Sequence, residues 1–90
     1  MTTQTQTAIQ EIRTLWALLF PEGVASPDDR QLTMWLLLHD AQTVKKGIGH
    51  LAAKYRQLDG QMDASYRVKF CSSVMNRIEQ EQKVGTSHAT

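Results

Sequence analysis

Apolar side chains recur along this chain at intervals of three and four residues, and no stretch alternates long enough to make a half-buried strand. Ala8, Ile9, Ile12, Leu15, Trp16 and Leu19 form one such stripe, which predicts an amphipathic helix over residues 8–20. Phe20-Pro21-Glu22-Gly23 ends it, because the residue before proline avoids the helical conformation and glycine favours a turn. Thr2 to Thr7, polar and rich in threonine, are expected to fray, leaving residues 1–7 as a loose N-terminus. Ser26-Pro27-Asp28-Asp29 then offers a hydroxyl for an N-cap, proline for the first helical position and two carboxylates for the positive dipole end. A second helix is predicted over 27–39, and its Met34–Leu38 run leaves so little polar face that it should lie centrally.

Asp40 is a natural cap for a third helix over 41–58, striped by Val44, Ile48, Leu51, Ala52 and Tyr55 and ended by Leu58-Asp59-Gly60. Asp63 or Ser65 caps a fourth over 64–82, whose face is Tyr66, Phe70, Cys71, Val74, Met75 and Ile78. Residues 84–90 read as a flexible tail. Four helices on short loops predict an all-α fold with a single helical domain over 8–83, either a small four-helix bundle or a compact orthogonal helical array. Ninety residues bury roughly 60–65% of their unfolded surface, an adequate core that a partner or second copy commonly reinforces.

Composition removes several function classes. The lone cysteine, Cys71, makes no internal disulfide, and no Cys-x-x-Cys pair is present to hold zinc. The N-terminus carries no basic region followed by an apolar run, and the longest apolar run, Met34 to Leu38, is far short of the ~20 residues a membrane helix needs. The expectation is a soluble cytoplasmic protein with a reduced thiol and no membrane partner. Cys71 lies mid-face on the fourth helix, where a thiol behaves as a small hydrophobe. Ser72-Ser73 have no identifiable base, and Lys45-Lys46-Gly47-Ile48-Gly49 is no phosphate loop, since it lies inside a helix and lacks the Gly-Lys ending. His39 ends the second helix, His50 lies four residues from both Lys46 and Lys54, and His88 is in the tail; none shares a helical ligand spacing with Cys71 or Asp40. No metal, cofactor or catalytic residue is expected. Gly47 and Gly49 weaken their helix by about 1 kcal/mol each, which points to a close backbone approach, beneath Trp35, or to a smooth surface beside the lysines. Trp16 and Trp35 fall on apolar stripes and read as core.

Charge is divided unevenly. Residues 1–40 hold Arg13 and Arg30 against Glu11, Glu22, Asp28, Asp29 and Asp40, a balance of −3, while residues 41–90 hold eight basic against four acidic side chains, or +4. The plainer account is a solvated surface. The sharper one is an anion-binding face on the last two helices, which carry Lys45 and Lys46 and, near their corner, Tyr55 and Tyr66 with Lys54, Arg56, Arg67 and Lys69 as sequence neighbours. Aromatic rings interleaved with cations are what single-stranded nucleic acid binding uses, and the alternative is that each ring is buried with its hydroxyl wet.

Trp35, Val44-x3-Ile48, Ala52-Ala53-Lys54-Tyr55 and Tyr66-x3-Phe70-Cys71 together resemble the helical C-terminal module of DnaD-type replication proteins, over residues 32–78. In that family a tyrosine precedes two aliphatic residues at four and five positions on, and the helix and its tail are linked to DNA binding in primosome assembly. The resemblance implies that Tyr66, Phe70 and Cys71 fill those positions, with Cys71 where leucine is usual.

Two readings follow. One is a non-enzymatic accessory protein acting in DNA replication or other nucleic-acid processing, binding single- or double-stranded nucleic acid through its last two helices. The other is a protein-interaction module, a homodimer or an adaptor or inhibitor, without nucleic-acid contact.

Overall fold

The last three helices of this chain begin where an aspartate accepts a backbone N–H, and the computed structural model shows those caps directly. It describes the backbone of residues 3–89 and the side chains of residues 3–82. Four helices are present, α1 (Thr3–Leu19), α2 (Asp29–Leu38), α3 (Ala41–Gln57) and α4 (Ala64–Ala89), with no strand among the described residues. The fold is an all-α bundle. No helix of the described residues is long and apolar enough to cross a membrane.

Asp40 accepts from the Thr43 N–H at 2.7 Å and Asp63 from the Tyr66 N–H at 2.7 Å, capping α3 and α4. Helix α2 departs from the expected start at Ser26 and Pro27. Its cap is Asp28, which accepts from the Gln31 N–H at 2.9 Å, and the helix begins at Asp29. The Ser26 hydroxyl is engaged elsewhere, accepting from Arg13 of α1 at 3.0 Å, while the same guanidinium pairs with Asp29. An arginine on α1 thus secures the entry to α2. Helix α1 begins at Thr3, within the segment expected to be loose, and α4 passes the expected end near 82 because no proline interrupts it. Thr90, the last residue of the expected tail, lies outside the described residues.

The turn after α3 reverses the chain in six residues. Leu58 ends the helix, Asp59 and Gly60 take φ of 55° and 77°, and the Gly60 N–H returns to the Tyr55 carbonyl at 3.0 Å. Glycine occupies this left-handed region without the Cβ clash that other residues meet, and aspartate is among the few that tolerate it.

Helix α3 touches all three other helices, and its seam with α4 is the most extensive contact in the molecule. Val44, Ile48 and Leu51 of α3 are fully buried with Cys71 and Met75 of α4, Ile12 and Trp16 of α1, and Leu32 and Trp35 of α2. Gly47 explains the tightness of the seam. A Cβ there would come 2.5 Å from Met75 Cγ and 3.5 Å from the Cys71 carbonyl oxygen. The close approach expected at this glycine is therefore to α4 and not beneath Trp35. Gly49 faces open space.

Both tryptophans are core residues whose indole N–H groups find acceptors, Trp16 at the Val24 carbonyl (3.2 Å) and Trp35 at the Ser72 hydroxyl (3.1 Å). Helix α2 is not central, however. Only Leu32 and Trp35 of it are buried, and Met34, Leu37 and Leu38 are exposed. Ten residues make fewer than three turns, and one apolar face suffices to dock them.

Candidate nucleic-acid interface

A groove runs along the seam between α3 and α4. Its volume is about 450 Å³. His50, Lys54 and Gln57 line it from α3, and Phe70, Arg77 and Glu81 from α4, with Ala53, Val74 and Ile78 supplying apolar surface between them. The helical repeat accounts for the set. Positions 50, 53, 54 and 57 share one face of α3, and 70, 74, 77, 78 and 81 share one face of α4. From Phe70 to Glu81 the groove follows about 16 Å of helix. Two permanent cations face one carboxylate there, and neither Lys54 nor Arg77 is ion-paired among the described residues. Glu79, the other carboxylate of this stretch, is engaged on α2, 2.5 Å from His39 Nδ1. An ionised carboxylate only accepts, so the Nδ1 atom of His39 carries the hydrogen.

At the Phe70 end the Tyr66 ring stacks on Phe70, with centroids 6.1 Å apart and planes 23° from parallel. Tyr66 is 47% exposed and sits in the first turn of α4, one turn before the groove begins. A half-exposed aromatic platform at the end of a groove that carries two unpaired cations can stack a base while the groove contacts phosphates.

The eight residues singled out from the sequence divide into two groups. Lys54 lines the groove, Tyr66 stands at its end, and Lys69 is exposed beside Phe70. Lys46 is exposed on α3 one turn before His50, and Arg56 is exposed near the helix C-terminus. The other three are drawn away. Lys45 donates to Glu11 of α1 at 2.7 Å, so its charge is met by a carboxylate of the acidic half. Tyr55 is half-buried and packs edge-on against Phe20, centroids 5.5 Å apart, which makes it part of the core and not a stacking platform. Arg67 is half-buried, and its Nε and Nη1 lie out of solvent with no hydrogen-bond partner, which withdraws part of the guanidinium from the surface. Arg77 and Phe70 were missing from the cationic–aromatic set. Their signal was the four-and-seven spacing Tyr66, Phe70, Ser73, Arg77, which continues one helical stripe.

The remaining chemistry is sparse. Cys71 is buried, and burial pushes its thiol up to about 12, so it is held as the unreactive neutral form. Among the described residues no three His, Cys, Asp or Glu side chains gather as metal ligands. No protein-family model, no curated protein and no solved structure matches this chain.

Proposed function

We propose that this chain is a non-enzymatic binding module that takes single-stranded nucleic acid along the groove between α3 and α4, as an accessory in nucleic-acid processing. The observation that carries the reading is the combination along one groove of unpaired Lys54 and Arg77 with a Tyr66–Phe70 stack whose Tyr66 ring is half-exposed. Phosphates would meet Lys54, Arg77 and, one turn on, Lys46, while a base stacks on Tyr66. The resemblance to the DnaD-type module points the same way, since Tyr66 and Phe70 are the positions it marks. A second reading, a protein-interaction module, is favoured by a different feature, the exposed Met34, Leu37 and Leu38 of α2.

Titration of a fluorescent oligonucleotide at several salt concentrations tests the first reading. Two to three phosphate contacts give a slope of log K against log salt of about −2 for single strands, or a loss of roughly ten- to twenty-fold in affinity between about 50 and 200 mM salt. Lys54→Gln with Arg77→Gln should flatten that slope by about 1.4. Tyr66→Ala should weaken binding by about 1–3 kcal/mol at constant slope. No measurable binding at 50 mM salt, or a slope untouched by the double variant, would remove the proposal.

A further inference from the structure

Helix α2 turns a second face away from the bundle. Met34, Leu37 and Leu38 are 50%, 77% and 60% exposed, and their spacing of three and four puts them on one stripe. Beside them is a notch of about 260 Å³ bounded by Arg30, Thr33, Met34 and Leu37, with Asp29 at its end, and its surface is almost wholly apolar. Positions 30, 33, 34 and 37 stand at i, i+3, i+4 and i+7. Four residues so placed make the hole into which a facing helix inserts one side chain. One short helix therefore presents both an empty hole and, one residue beyond its last rim position, the exposed Leu38 that can fill such a hole.

Charge sets the direction of pairing. Arg30 lies at the N-terminal end of the stripe, and the exposed Asp40 stands immediately past the C-terminal end of α2. A parallel pair of α2 helices would place Arg30 against Arg30. An antiparallel pair places each Arg30 against the C-terminal carbonyls and the Asp40 carboxylate of the other copy, where a cation is favoured.

We propose that two copies of this chain associate through α2, antiparallel about a two-fold axis, with Leu38 of each copy seated in the Arg30–Thr33–Met34–Leu37 hole of the other. The pairing is isologous: knob, hole, cation and carboxylate all come from one surface, and each is satisfied twice. Met34 of one copy then lies opposite Leu37 of the other, and six large apolar side chains leave water per dimer.

Light scattering across roughly 1–200 µM chain is the first measurement, because a dimer gains population with concentration. The expected mass rises towards twice the chain's 10.2 kDa. Leu37→Glu, at a position that is mostly solvent in the single chain, should keep its helical circular dichroism and remain at the single-chain mass throughout. Arg30→Glu should weaken association at least tenfold, because it sets like charges face to face. The register is read by disulfide formation: a mixture of Met34→Cys and Leu37→Cys chains should cross-link faster than either variant alone, with buried Cys71 taking no part. A mass of 10.2 kDa over the whole range overturns the proposal, as does association unchanged in Leu37→Glu. Faster cross-linking of Met34→Cys with itself overturns the antiparallel register.

Discussion

Leu51 and Leu37 are the same side chain on neighbouring helices, yet one is fully buried in the α3–α4 seam and the other stands mostly in solvent on α2. The seam is closed by long helices, by Gly47 against Met75, and by side chains from all four elements. Helix α2 is bound by a single face through Leu32 and Trp35, with Trp35 and His39 bonded onto α4. Position in the assembly, not residue type, decides what a leucine contributes.

The sharpest way to break that contrast is to shorten both leucines. Leu51→Ala should cost about 2–5 kcal/mol in chemical denaturation, as a buried deletion leaves a cavity. Leu37→Ala should stay within about 0.5 kcal/mol, measured at a chain concentration too low for association. Equal losses would mean that α2 is packed as tightly as the seam.

The glycines of α3, two residues apart on opposite faces of the helix, give opposite signs. Gly47→Val should destabilise by about 2–3 kcal/mol, because the new atoms press on Met75 inside the seam. Gly49→Ala should stabilise by up to about 1 kcal/mol, since nothing lies within 4 Å of the added methyl and alanine is the better helix former. A destabilised Gly49→Ala would argue that the outer side of α3 is covered in solution.

The junction between the two regions supplies the smallest effect. Asp40 ends the α2 connection and caps α3, and the Thr43 hydrogen bonds, backbone first, hold its carboxyl below its ordinary 3.8. A carboxylate whose folded value is depressed contributes fully above the unfolded value and loses that contribution as pH falls through the folded one. Asp40→Ala should therefore cost about 1 kcal/mol at neutral pH. The gap to the native chain should shrink progressively below about pH 4 in thermal melts. A gap constant down to pH 2 would show that the carboxylate's charge is not what matters.

What could be read from the residues in advance follows the same division. The caps at Asp40 and Asp63 and the stripe of α3 are local, set by side chains within one turn of the groups they serve, and they were legible. So was the identity of Trp16 and Trp35 as core. The fate of the Met34–Leu38 run was not, because an apolar run states a demand for cover and says nothing of whether another element arrives to supply it. Lys45 and Tyr55 failed as site residues for a similar reason: Glu11 and Phe20, which take them up, are 34 and 35 positions away. The groove was half visible. Lys54 and Tyr66 were named, but its course along Phe70 and Arg77 depends on how α3 and α4 lie against each other.

The two side-chain bonds that hold the C-terminal part of α2 onto α4 come from residues made much later in synthesis, whereas Arg13, which secures its entry, is made earlier. Trp35 waits 37 positions for Ser72, and His39 waits 40 for Glu79. During translation the ribosome completes α2 after Arg13 but long before Ser72 and Glu79, so the entry of the helix is secured first and Trp35 and His39 gain their partners only once α4 is out of the exit tunnel.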